Sequence, residues 1–134
     1  MLTWRGYKST EDNSLLTAIE RNNQIILPIE YKDTVMRFNK GVPSKKLIQC
    51  DGKERVFARL ITITPDVHPN VIDAVKWVEE SNRVIPFGLD PFGNLFAFKY
   101  GGSEDYEIVF IDGEMGTTHL ICSSFSDFLY GLYE

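Results

Sequence analysis

The chain is poor in the residues that most small-protein chemistries need. Its two cysteines, Cys50 and Cys122, lie far apart and form no C-x-x-C pair; they could in principle bridge, but a domain of this size does not need a bridge. The start, Met1-Leu2-Thr3-Trp4-Arg5-Gly6, runs into polar residues and not into the apolar stretch of a secretory signal. No N-x-S/T acceptor occurs, so reduced thiols in a cytoplasmic protein are the expectation. No apolar run approaches the roughly 18 residues of a membrane helix, and no membrane partner is expected. Positive charge is also short: 14 basic against 19 acidic side chains leave −5. That balance speaks against direct nucleic-acid binding, which needs a clustered positive face.

Catalytic signatures are missing as well. Gly88-Leu89-Asp90-Pro91-Phe92-Gly93 lacks the G-x-G-x-x-G spacing, and no phosphate-cradling loop ending in Gly-Lys-Ser/Thr is present. Ser123, Ser124 and Ser126 start a helical pattern without a surrounding G-x-S-x-G. His68 and His119 have no second ligand at a metal-binding spacing, so a zinc site joining them to the two cysteines has no pattern behind it. Both cysteines sit in apolar runs, where a small buried thiol is the usual outcome. Among 19 carboxylates, naming a catalytic pair would be a claim of coincidence. No enzyme activity, cofactor or metal is expected.

What is present suits one globular domain. Hydrophobic residues make up 43% and charged residues 25% of 134 positions, enough for a real core at this length. No repeat or linker divides the chain, so residues 1–134 read as one domain, with 1–9 as an N-terminal extension. Aromatic residues, 13% of the chain, concentrate in the C-terminal half, where the core should lie.

A helix is expected over about 10–22, with Ser9, Thr10, Glu11 and Asp12 as caps and acidic first turn, and Leu15, Leu16 and Ile19 as its apolar stripe. Ile25-Ile26-Leu27-Pro28 breaks it. Pro28 suits the first turn of a second helix carrying Tyr31, Val35 and Phe38, which should stop at Asn39-Lys40-Gly41. Residues 46–50, an Asp51-Gly52 turn and residues 56–64 read as a hairpin. Asn70 and Asp73 form a capping box for a helix with Val71, Ala74, Val75 and Val78 on one face and Trp77 at its margin.

Strands follow at 84–87, 95–100 and 106–112, with a tight turn at 90–94 and a polar loop at 101–105. The second and third are apolar at nearly every position and should be covered on both faces. A short strand at 119–122 leads to a last helix, capped by Ser124 with Asp127 and striped by Phe125, Phe128, Leu129 and Leu132. This order predicts an α+β fold with a mainly antiparallel central sheet and about four flanking helices.

Several blocks carry a resemblance. Ile19-Glu20, Leu27-Pro28, Glu30-Tyr31-Lys32 and Phe38-Asn39-Lys40-Gly41 are followed, in order, by Ile85-Pro86-Phe87-Gly88, Asp90, Gly93-Asn94, residues 106–112 and Ser124-Phe125-Ser126-Asp127-Phe128-Leu129. This succession resembles the SUKH superfamily, the Smi/Knr-like domains, over about residues 10–132. Each block is weak alone; their order is the signal. Two departures blur the subfamily: Lys40 interrupts the usual Asn-Gly, and the turn at 90–94 is unusually apolar. The resemblance implies a helix-flanked central sheet and, in bacteria, most often an immunity protein or antitoxin that neutralises a polymorphic toxin, frequently a nuclease. Related fungal domains regulate cell-wall synthesis and signalling. The matching residues have structural duties: Pro28 starts a helix, Gly41 ends one, Asp90, Gly93 and Asn94 shape a tight turn, and Phe87, Phe125 and Phe128 fill the core.

The expected function is therefore non-enzymatic binding of a cognate toxin, with a regulatory protein-binding module of the Smi/Knr type as the alternative and a small hydrolase or ligand-binding protein as a third reading. A basic nuclease would be steered electrostatically to an acidic partner. Candidate contacts are Glu79 and Glu80 at a helix end, Glu104, Asp105 and Glu107 around the Gly101-Gly102 loop, and Asp112 and Glu114 in the next turn. Each of these carboxylates could equally be plain solvated surface. Phe92 is either an exposed anchor or a ring folded back onto the core. The oligomeric state is not legible.

Overall fold

The structure, a computed structural model, describes residues 1–78 and 83–134. In chain order the elements are β1 (Trp4–Arg5), α1 (Ser14–Asn23), α2 (Ile29–Arg37), β2 (Val42–Pro43), β3 (Leu47–Cys50), β4 (Lys53–Val56), β5 (Arg59–Leu60), α3 (Val71–Trp77), β6 (Val84–Leu89), β7 (Leu95–Tyr100), β8 (Tyr106–Asp112), β9 (Thr117–Cys122) and α4 (Phe125–Gly131). The fold is α+β. A five-stranded sheet runs β5-β6-β7-β8-β9, antiparallel at every pairing, and two small two-stranded sheets join β1 to β2 and β3 to β4.

The sheet and helices enclose an aromatic core. Tyr31, Phe57, Phe87, Phe96, Phe98, Phe110, Phe125 and Phe128 are all fully buried. Phe87 stacks on Phe98 at 4.6 Å between ring centres, and Phe128 meets Phe57 edge-on at 5.1 Å, arrangements that suit the ring quadrupoles. The expected roles of Phe87, Phe125 and Phe128 hold. The middles of β7 and β8 are buried on both sides of the sheet, as their continuous apolar runs require. One side joins the main core, and on the other Val84, Ala97 and Val109 form a small cluster with Val78 and Ile111.

The first helix starts later than its sequence suggests, at Ser14, with no acidic first turn. The cap-forming residues are consumed before it: Thr10 N–H bonds Met36 O, the Thr10 hydroxyl accepts from Asp12 N–H, and Asp12 accepts from Ser14 N–H. Such local side-chain bonds compete with a helical backbone. Pro28 sits one residue outside α2, as its N-cap.

At the far end of α2 the left-handed residue is Lys40, at φ +58°, not Gly41. Gly41 matters for proximity: a Cβ there would lie 2.7 Å from Phe38 O and 3.1 Å from the Trp4 ring. Asn39 does not cap the helix. It is buried, and its side chain binds Ile63 N–H and the Thr62 and Thr64 hydroxyls, tying α2 to the chain after β5.

The Asp51-Gly52 turn forms with both residues at positive φ, +54° and +77°, and pairs β3 with β4. The strand expected at 56–64 is not continuous. After Val56 the chain changes sheets: Phe57 N–H bonds Lys46 O, while Ala58 N–H bonds Leu89 O, so β5 pairs with β6. The Asn70–Asp73 capping box of α3 is complete. At α4 the Ser124 half of the expected box forms, its side chain accepting from Asp127 N–H.

Candidate functional site

The candidate contact residues divide between opposite ends of the sheet. Glu104, Asp105 and Glu107 lie where β7 turns into β8. Phe92, Asp112 and Glu114 lie at the other end, in the β6–β7 and β8–β9 turns. The seven residues of β8 hold the groups about 20 Å apart. Glu79 and Glu80 fall outside the described residues.

The end carrying Phe92 is built from its own polar groups. Asp90 Oδ1 accepts from Phe92 N–H (2.9 Å) and Asn94 N–H (2.7 Å), and Asp90 Oδ2 accepts from the Asn94 amide at 2.9 Å. Gly93 takes φ +89°, a conformation open to it for lack of a side chain. Asn94 Oδ1 then accepts from Gly113 N–H across to the next turn, where Asp112 Oδ1 accepts from Glu114 N–H and Met115 N–H. Asp112 is therefore a turn-forming residue, and Glu114 stays exposed beside it. Phe92 does not fold back: it is 88% exposed.

The other end has a different character. Glu104, Asp105 and Glu107 are exposed, and their side chains make no hydrogen bond or ion pair among the described residues. The loop holding Glu104 is fastened to the elbow between α1 and α2. Ile26 N–H bonds Ser103 O, and Tyr100 O–H donates to Ile26 O, both at 2.8 Å. Glu20 fixes the elbow from within, accepting from Leu27 N–H at 2.8 Å while pairing with the Lys32 ammonium at 2.9 Å.

A groove of about 350 Å³ runs along this junction, lined by Ile26, Pro28, Ile29, Glu30, Glu104 and Tyr106 among others. A neighbouring depression shares Ile29 and Lys32 and adds Asp33 and Met36. Ile26 and Ile29 are 51% and 60% exposed. Asp105 and Glu107 face a separate hollow with Lys99 and Tyr100.

In the sequence Ile25-Ile26-Leu27-Pro28 reads only as the break after the first helix, which gives no reason to expect an exposed elbow there. The signal was in the alternation: in an extended segment Ile25 and Leu27 point one way and Ile26 the other. Ile25 and Leu27 are indeed buried, and Ile26 is not.

The remaining reactive groups are accounted for by packing. Cys50 is buried and Cys122 half-buried, and both are free. Burial raises the Cys50 thiol above its ordinary value and pushes Cys122 up to about 11, which keeps both protonated and poorly nucleophilic. His68 Nδ1 lies 2.6 Å from Asp73 Oδ2, and His119 Nδ1 lies 3.1 Å from Asp51 Oδ2. Among the described residues no three His, Cys, Asp or Glu side chains converge on a metal position, and no helix is long and apolar enough to cross a membrane. Lys40, Arg59 and His68 line a small cavity of about 80 Å³ beside β5, well apart in the chain from the acidic loop.

The comparisons with known proteins come down to one finding. The family model described as SUKH_6, SMI1-KNR4 cell-wall, matches residues 13–129. No curated protein and no solved structure matches.

Proposed function

The chain belongs to the SUKH_6 family of SMI1-KNR4 domains, and from that premise we propose that it is an immunity protein: it acts in the cytoplasm by binding and neutralising a cognate toxin, and it catalyses nothing itself. The observation that carries this reading is the set of free carboxylates at the β7–β8 end. Glu104, Asp105 and Glu107 are exposed on a loop and strand that the elbow holds firmly in place. A toxin that cleaves nucleic acid must bind phosphate, so its working surface is basic. An acidic partner is drawn to such a surface faster than diffusion alone allows, and it blocks the surface by occupying it.

The test begins with the gene next to this one. Its toxin domain, expressed alone, should arrest growth, and co-expression of this chain should restore it. The purified pair should form a complex whose association slows steeply with added salt. A neighbourhood without a toxin, or a toxin that this chain fails to neutralise, would defeat the proposal. The second reading, a regulatory module binding a cellular protein, is favoured by membership in an SMI1-KNR4 cell-wall family. It predicts that deleting the gene alters wall composition in cells exposed to no toxin.

A further inference from the structure

Resting on the immunity reading, we infer that the α1–α2 elbow is the docking surface, and that it takes a basic partner segment whose apolar side chain seats between Ile26 and Ile29 with lysines or arginines around it. Three observations converge on this groove. First, Ile26 and Ile29 expose half or more of their surface in one concavity, although burying an isoleucine is worth about 1.5–3 kcal/mol. The fold has had the chance to cover them and has not.

Second, the concavity is negative. Glu30, Asp33 and Glu104 line it or its neighbouring depression from α2 and the β7–β8 loop. The nearest cation, Lys32, is already paired with Glu20. A second copy of this chain would bring like charges together, whereas a cationic segment would find each carboxylate without a partner among the described residues.

Third, the groove is preorganised. The bonds from Ile26 N–H to Ser103 O, from Tyr100 O–H to Ile26 O and from Leu27 N–H to Glu20 fix the backbone on which Ile26 stands. Little ordering entropy remains to be lost on binding.

The opposite end of the sheet is the rival surface. Phe92 and Met115 are exposed there, but the carboxylates Asp90 and Asp112 are occupied by turn backbone. That end has apolar area with less free negative charge.

The experiment measures binding of the toxin domain encoded beside the gene to three variants. Ile26→Asp with Ile29→Asp should weaken binding about 30-fold or more, the scale of losing an interface hot spot, chiefly through faster dissociation. Glu30→Lys with Glu104→Lys should slow association about tenfold and flatten its salt dependence. Phe92→Asp with Met115→Asp should stay within about threefold of the parent, as a change outside the interface would.

All substitutions are at exposed positions, and a cooperative melt at the parental temperature verifies each fold. Should the isoleucine pair fail that check, the charge-reversal pair carries the test alone. Parental affinity in both elbow variants overturns the inference, and so does loss confined to the Phe92 pair. Self-association of this chain abolished by Ile26→Asp with Ile29→Asp would assign the groove to a second copy and overturn it too. If the parent itself binds no toxin, the immunity reading falls and takes the inference with it; if the parent binds and the elbow variants bind equally well, the inference alone falls.

Discussion

Where β6 turns into β7 and β8 into β9, most of the charge is consumed by the backbone: Asp90 and Asp112 accept from four main-chain N–H groups between them, and Glu114 alone stays exposed beside them. Where β7 turns into β8, the side-chain carboxylates of Glu104, Asp105 and Glu107 accept nothing from the described residues, and the nearby isoleucines lie open. Both ends are acidic and both expose apolar side chains, so composition does not separate them. What separates them is how much of the charge the fold has already used. An acidic residue bound by its own turn is structure; one held firmly in place and left unbound is available to something else.

The comparison can be broken outright by removing what supports both ends. Truncation before Ser124 deletes α4, whose Phe125 and Phe128 pack against Tyr31, Phe57, Phe87, Phe96 and Phe98. Each buried phenylalanine is worth about 3–5 kcal/mol, so two of them rival the roughly 5–15 kcal/mol that holds a domain together. The truncated chain should show no cooperative melt by circular dichroism. A sharp transition would mean that the core is organised without its last helix.

A finer test sets one carboxylate from each end against the other. Asp90→Ala leaves the Phe92 and Asn94 N–H groups without their acceptor and should cost about 1–3 kcal/mol in chemical denaturation. Glu104→Ala should change stability by less than about 0.5 kcal/mol, as surface changes do, while weakening toxin binding. Equal losses at the two positions would erase the distinction between used and free charge.

Much of the frame was legible because its signals are local. Asn70 and Asp73 declare a capping box three residues apart, Asp51-Gly52 declares a hairpin, and the 95–100 and 106–112 runs coincide with β7 and β8. The failures share a cause: tertiary bonds redirect backbone that local pattern would have continued. Thr10 binds Met36 O and delays α1, and Ala58 binds Leu89 O and takes the chain from one sheet to another. Neither partner is near in sequence. The candidate site was half legible for the same reason. The acidic loop stands out in composition, but the elbow it meets is 74 residues away at the Tyr100–Ile26 bond. Only the fold brings them together.

The smallest effect reads a used charge by acid. Asp73 belongs with Asp90: the His68 ring and Asn70 N–H both bind its carboxylate and hold it below the ordinary value of 3.8. A carboxyl bound more tightly when ionised stabilises the folded state only while ionised. Its contribution is complete above the unfolded value and disappears as pH drops through the lower folded one. The melting temperature of the parent should therefore exceed that of Asp73→Asn near neutrality, and the gap should close progressively below pH 3.8. A gap that stayed constant down to the acid end of the range would mean that the Asp73 carboxylate stabilises the fold by something other than its charge, and Asp73 would then not count among the used charges.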